Sequence, residues 1–220
     1  MSQFNLEQAR ENMIEQQIRP WEVLDPRVLD TIRDVPRDEF VPENWRNLAF
    51  ADMSIPLPQG QTMMPPRVEA RLLQALEIQP FESVLEVGTG SGYLTAVLAK
   101  LAKQVYSVEI QAELVGPAQQ RLRDHGITNA TIKAGDGSDG WPEQGPYDVI
   151  VLTGSAAAVP EAIKQNLRSG GRLFAVIGDA PVMEARLLMR REDGQWSNET
   201  LFETELPGLK NFEVAEQFQF

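Results

Sequence analysis

The chain has 220 residues, with 20 Lys+Arg against 32 Asp+Glu and a formal net charge of −12. That length can bury a real core and fits one large domain or a domain with an appended subdomain. The acidic balance argues against a surface that tracks phosphate backbones, so no nucleic-acid partner is expected. Cysteine is absent, which excludes disulfides, thiolate zinc sites and a cysteine nucleophile. A single histidine, His125, excludes a multi-histidine metal site. No run approaches the ~18 apolar residues of a spanning helix. Glu7, Arg10, Glu11, Glu15 and Arg19 do not suit a signal-peptide core. The expectation is a soluble cytoplasmic protein with no metal and no membrane partner.

In chain order, Asn5 with Gln8 resembles a capping box, and Leu6, Ala9, Met13, Ile14 and Ile18 share one side of a helix that Pro20 stops. Asp25-Pro26 gives an N-cap and a first-turn proline, and Val28, Leu29, Ile32 and Val35 follow at helical spacing until Pro36. Residues 51–66 hold four prolines and a glycine and predict an irregular loop. Pro65-Pro66 opens a third helix with Val68, Leu72, Ala75 and Leu76 facing inward. From residue 82 the texture changes. Ser83–Val87, Gln104–Val108, Thr131–Ala134, Val149–Thr153 and Arg172–Ile177 read as strands, with helices over 92–102, 112–124 and 160–167 between them. Such alternation predicts βαβ units, a parallel sheet and an α/β fold. Ala185–Arg190 and Thr200–Glu205 flank Glu192-Asp193-Gly194-Gln195 and predict an antiparallel hairpin. The organisation is a helical cover over residues 1–80, carrying the loop 51–66, on a core over 81–220, one structural domain overall.

The strongest chemical signal is the run from Val84 to Tyr93, Val-Leu-Glu-Val-Gly-Thr-Gly-Ser-Gly-Tyr. A buried strand enters a glycine turn and then a helix, so backbone can approach a ligand and the helix N-terminus offers free N–H groups. A dinucleotide fingerprint wants glycine at the sixth position, where this chain has Tyr93, so a diphosphate fits poorly. Glu86 puts a carboxylate at the end of that strand, suited to a ligand's ammonium group. Glu109 ends the next strand, where a ribose-binding acid is expected, and Gly135-Asp136-Gly137 follows the third. Three acids around one sheet edge describe S-adenosylmethionine better than NAD. The cofactor-binding set is therefore Glu86, Gly88, Thr89, Gly90, Ser91, Gly92, Glu109, Asp136 and Gly137. Weaker features are Thr153-Gly154-Ser155, whose hydroxyls face the site or cap the next helix, His125 as a C-terminal cap partner, and Trp141 as an adenine wall or loop anchor.

The sequence resembles the protein-L-isoaspartate O-methyltransferases over roughly residues 10–180. The resemblance rests on Val35-Pro36-Arg37 with Phe40-Val41-Pro42, and on Pro56-Leu57-Pro58 with Gly60-Gln61-Thr62. It continues through Leu85–Tyr93, Val105–Glu109, Gly135-Asp136-Gly137, Gly140-Trp141-Pro142 and Ser169–Leu173. It implies a Rossmann-like class I methyltransferase fold and a repair enzyme that methylates the α-carboxylate of isoaspartyl residues with S-adenosylmethionine, the ester collapsing to a succinimide. By position, Glu86 and the three glycines would line the amino-acid end of the cofactor. Glu109 would hold the ribose, and Asp136-Gly137 would sit by the adenine. Residues 58–66, with Gln61, Thr62 and Met64, would cover the methyl group and meet an isoaspartyl protein or peptide.

One position departs from the family. Gly60-Gln61-Thr62 is followed by Met63-Met64, and Met64 stands where the family carries its presumed catalytic serine. Methionine cannot donate a hydrogen bond to a carboxylate, so no catalytic residue is assigned. Two other readings use the same cofactor site: a methyltransferase for a different acceptor, and a cofactor-binding protein without isoaspartyl activity.

Overall fold

The computed structural model describes residues 6–212; the Asn5 cap and the terminal Phe218-Gln219-Phe220 lie outside them. Helix α1 (Leu6–Met13) widens into a π-turn over Ile14–Ile18 and ends in a tight turn at Arg19–Trp21. The widening differs from the continuous helix that the spacing predicts, and Met13, Ile14 and Ile18 are all fully buried. Helix α2 (Pro26–Asp34) starts as the sequence indicates, with the Asp25 side chain accepting from the Arg27 amide. The loop 51–66 is more regular than its prolines suggest. Strands β1 (Ile55–Pro56) and β2 (Thr62–Met63) pair antiparallel across it before α3 (Pro66–Leu76).

The main sheet follows: β3 (Ser83–Val87), α4 (Tyr93–Leu101), β4 (Gln104–Glu109), α5 (Ala112–Asp124), β5 (Ala130–Ala134), β6 (Tyr147–Ala156), α6 (Glu161–Gln165), β7 (Leu167–Asp179), β8 (Val182–Arg190) and β9 (Trp196–Glu203). Its order is β5-β4-β3-β6-β7-β8-β9. The first five strands of that order are parallel, and β7-β8 and β8-β9 are antiparallel. The tail is therefore a meander of three strands, one more than the expected hairpin, because β7 continues past Ile177 into a second tight turn. Helix α6 is shorter than its predicted span, since Leu167 already pairs with Tyr147.

Central strands buried on both faces read as continuous apolar runs, with alternate residues serving opposite faces. Val84, Val149, Val151, Phe174 and Val176 join one core with α1 to α5. Leu85, Val87, Ile150, Leu152, Leu173 and Ala175 join a second, smaller core with α6. Arg172 ties cover to sheet: its guanidinium forks onto Glu82 at 2.7 Å and also donates to the Leu76 and Glu77 carbonyls at the end of α3. The strand order reverses between β3 and β6, which opens a crevice at their C-terminal ends, where open α/β sheets bind ligands.

Candidate active site

The glycine turn lies in that crevice. Gly88 has φ +98°, and a Cβ there would fall 2.2 Å from Thr153 Oγ1, so no side chain fits. Thr153 lines the cleft, and its Oγ1 lies 2.9 and 2.8 Å from the Val87 and Gly88 carbonyls, so the hydroxyl holds the end of β3. The Gly88 amide donates to the Val108 carbonyl, fixing the turn to β4. Glu109 buttresses the turn from the next strand. One carboxylate oxygen accepts from the Gly90 amide and the other from the Gln111 amide, both at 2.8 Å. Only 3% exposed, Glu109 still lines the cleft.

Glu86 lies elsewhere than the sequence suggests. It is fully buried beneath the turn and is not part of the cleft wall. Its Oε2 accepts from the hydroxyls of Thr95 and Ser107. Ser107 spends its only proton there, so the 2.5 Å contact between Thr89 and Ser107 has Thr89 as donor. The turn is thus wired through two hydroxyls to an internal carboxyl. Burial pushes that carboxyl up to about 8, against the two hydroxyls that favour its charged form. Its other oxygen is buried without a partner. Gly92 also stands back from the cleft, where its missing side chain admits Ala118 of α5.

The cleft is open to solvent and is walled by Gly88 to Ser91, Leu94, Glu109 and Ile110 on one side. The other side is Leu57, the segment Gln61–Met64, Glu69, Gly154 and the segment Pro207–Lys210. The loop residues Gln61, Thr62 and Met64 line the same cleft as the glycine turn. Met63 and Met64 are each 5% exposed, and the Ser91 hydroxyl points at the Met63 sulfur at 3.6 Å. A second, smaller cavity adjoins, formed by Val87, Val108 and Gly135-Asp136-Gly137 together with Leu209, Lys210 and Phe212 of the chain after β9. A Cβ on Gly137 would strike Val87 and Val108, so only glycine lets this turn pack directly on the ends of β3 and β4. Asp136 accepts from the Ser138 amide at 2.9 Å, which, with the Asn211 side chain, holds its carboxyl below the usual carboxylate range. Trp141 anchors the loop: its amide donates to Asn166 and its carbonyl accepts from Tyr147.

Three parts of the site were not evident in the sequence. Arg37, 1% exposed, pairs with Glu69 and donates to the Ala49 carbonyl at 2.8 Å and the Met64 carbonyl at 2.6 Å. It clamps the methionine floor to α3, and burial pushes the Glu69 carboxyl up to about 7 even with Arg37 beside it. The third part is the strap after β9. Ser155 donates its amide to the Pro207 carbonyl and its hydroxyl to the Leu206 carbonyl, both at 2.9 Å. The Leu209 amide returns to the Ser155 carbonyl at 2.8 Å. Ser155 thus binds the strap instead of capping a helix. His125 does end α5, but its ring stacks on Phe40 at 5.0 Å and faces Glu39 at 3.2 Å, far from any catalytic role. Among the described residues, no cluster of His, Asp and Glu could hold a metal, and no helix is long and apolar enough to cross a membrane.

A parallel sheet with this switch point, a three-glycine turn after β3 and acids ending β4 and following β5 define a class I methyltransferase. A family model for protein-L-isoaspartate(D-aspartate) O-methyltransferase matches residues 8–206. A Pelobacter propionicus protein-L-isoaspartate O-methyltransferase 2 is 43% identical over 188 residues, 86% of this chain and 84% of its own. A Koribacter versatilis protein-L-isoaspartate O-methyltransferase is 40% identical over 192 residues, 87% and 85% of the two chains. A solved protein-L-isoaspartate O-methyltransferase superposes with a TM-score of 0.80 at 24% identity, covering 94% of this chain and 67% of that one. A Plasmodium falciparum structure, assigned to the same activity and solved with S-adenosyl-L-homocysteine, gives 0.80 at 22%, covering 94% and 99%. The chain belongs to the protein-L-isoaspartate(D-aspartate) O-methyltransferase family.

Proposed function

We propose that this protein transfers a methyl group from S-adenosylmethionine to the α-carboxylate of isoaspartyl residues in damaged proteins or peptides. The observation that carries this reading is the continuity of one cleft from the glycine turn to the loop Gln61–Met64. The residues present suit the cofactor. Gly88 and Gly90 line the cleft without side chains, Glu109 offers lone pairs beyond those facing Gly90 and Gln111, and a smaller cavity beside Gly135-Asp136-Gly137 adjoins. Bound there, S-adenosylmethionine supplies a methyl group on a sulfonium centre. Glu109 would hold the ribose and Asp136 the adenine edge, while the unpartnered Glu86 oxygen lies one layer deeper.

The acceptor carboxylate is already ionised at neutral pH, so the chain need not take a proton from it. What the protein must do is align oxygen with methyl and keep water out. Met63 and Met64 form a dry floor held in place by Arg37. Met64 donates no hydrogen bond, so orientation falls to neighbouring donors, of which the Thr62 hydroxyl lines the cleft. A cytoplasmic location goes with this reading.

The test is transfer of labelled methyl to an isoaspartyl peptide and to its aspartyl counterpart. Base-labile label on the isoaspartyl peptide alone is the expected result. Cofactor binding without such label at enzyme-stoichiometric concentration would reject it. The buried Met64 favours one second reading, a less polar acceptor at the same cofactor site, which that outcome would leave standing.

A further inference from the structure

The acceptor is an anion, and its cleft belongs to a chain of net charge −12 whose carboxylates Glu69 and Glu109 line the same space. Among the described residues that line it, one carries a positive charge: Lys210, which stands where this cleft meets the smaller cavity beside Asp136. Its side chain is exposed, and no carboxylate among the described residues pairs with it. The strap that presents it is fixed at both ends. Ser155 holds Leu206, Pro207 and Leu209, and the Asn211 amide donates to Asp136 Oδ2 at 2.6 Å. Leu209 lies against both Gly88 and Gly154, so the strap runs across the rim where the two walls meet. The family match ends at residue 206, before this cation.

We infer that Lys210 is a specificity-determining residue, its ammonium receiving the acceptor's carboxylate in place of the hydroxyl that Met64 lacks. The inference rests on the carboxyl-methylation reading above. An exposed ammonium on a four-carbon stem can reach an anion entering the cleft, and a charged donor grips a carboxylate more firmly than a neutral hydroxyl. It also supplies discrimination. The carboxylate substrate is attracted, the neutral methyl ester is not, and the product leaves without that contact. Screening at this exposed position keeps the effect moderate.

The experiment compares wild type, Lys210→Met and Lys210→Arg, each loaded with S-adenosylhomocysteine. Binding of an isoaspartyl peptide and of the same peptide with its α-carboxyl amidated is measured at low and high salt. Wild type should prefer the carboxylate peptide by roughly five- to twentyfold, with the preference shrinking in salt. Lys210→Met should erase the preference and Lys210→Arg should restore most of it, with the two peptides always compared at saturating S-adenosylhomocysteine because Lys210 also borders the adjoining cavity. A carboxylate preference that survives Lys210→Met, a wild type with no preference, or a loss confined to S-adenosylhomocysteine binding would each overturn the inference. Absence of methyl transfer by wild type, with the charge-dependent preference intact, would overturn the repair reading and leave the carboxylate site standing.

Discussion

The two walls of the cleft are assembled on different scales of the chain. The cofactor wall comes from one βαβ unit, residues 83–109, whose turn, buttress and buried carboxyl lie within 23 positions of one another from Glu86 to Glu109. The acceptor wall is collected from Arg37, the loop Leu57–Met64, Glu69, the end of β6 and the strap at 206–212. A wall built locally depends on backbone geometry, which glycine spacing writes openly into the sequence. One built from distant segments depends on which side chains meet after folding. The difference also decides what holds each wall: hydrogen bonds to the main chain for the first, one buried ion pair and one seryl clasp for the second.

The largest effect should come from breaking the ion pair. Arg37→Met strands the Glu69 carboxylate in the core and frees the Met64 carbonyl. Removing one partner of a buried pair costs about 3–5 kcal/mol, so chemical denaturation should show a loss of that order. Adding Glu69→Leu should recover most of it, because replacing both charges with apolar groups is often near neutral. Recovery of fold without recovery of methyl transfer would show that the clamp on Met64, not the charge pair, serves the acceptor wall. Equal loss in the single and double variants would instead mean that the packing around Tyr93, over whose ring Arg37 lies at 4.8 Å, is the larger contribution.

The buried carboxyls behind both walls answer to pH. Glu86 is raised from 4.5 to about 8 by burial, and Glu69 from 4.5 to about 7. Between those limits the folded protein keeps protons that the unfolded chain releases. Stability therefore falls as pH rises from about 5 to about 8, and the whole cost is present above the folded values. For Glu86 the change is on the order of 2–4 kcal/mol. Glu86→Gln, which mimics the protonated form, should flatten most of the decline in unfolding free energy measured without cofactor, leaving the part due to Glu69. A wild type equally stable across that range would mean that Thr95 and Ser107 hold the carboxyl ionised.

Glu86 also marks how far the sequence could be read. Its place at the end of a strand was legible, as were the glycine turn, the acids ending or following β4 and β5, and the parallel sheet, because each follows from a local pattern; the strand order was not. That its side chain turns inward to Thr95 and Ser107 was not legible, since neither hydroxyl is distinguishable in sequence from an ordinary helix or strand residue. Arg37 and Glu69 stand 32 positions apart, and nothing in either neighbourhood marks them as partners. The strap was hidden for a further reason. Its clasp, Ser155, reads as a helix cap, and the tail around Pro207-Gly208 has no periodicity to show that it crosses the cleft.

The smallest effect tests that clasp. Ser155 makes two main-chain bonds to the strap and one through its hydroxyl, at 2.9 Å to the Leu206 carbonyl. Ser155→Ala removes only the last, and a neutral hydrogen bond of this kind is worth about 1 kcal/mol. Both main-chain bonds survive, so the strap should loosen rather than detach. Hydrogen exchange should then quicken about fivefold at the Leu209 amide, which shares this clasp, while the Gly88 and Gly90 amides, held by Val108 and Glu109, keep their protection. Parallel loss at the glycine turn would show that strap and turn open as one unit, and the division of the cleft into a locally built wall and an assembled one would fail at that point.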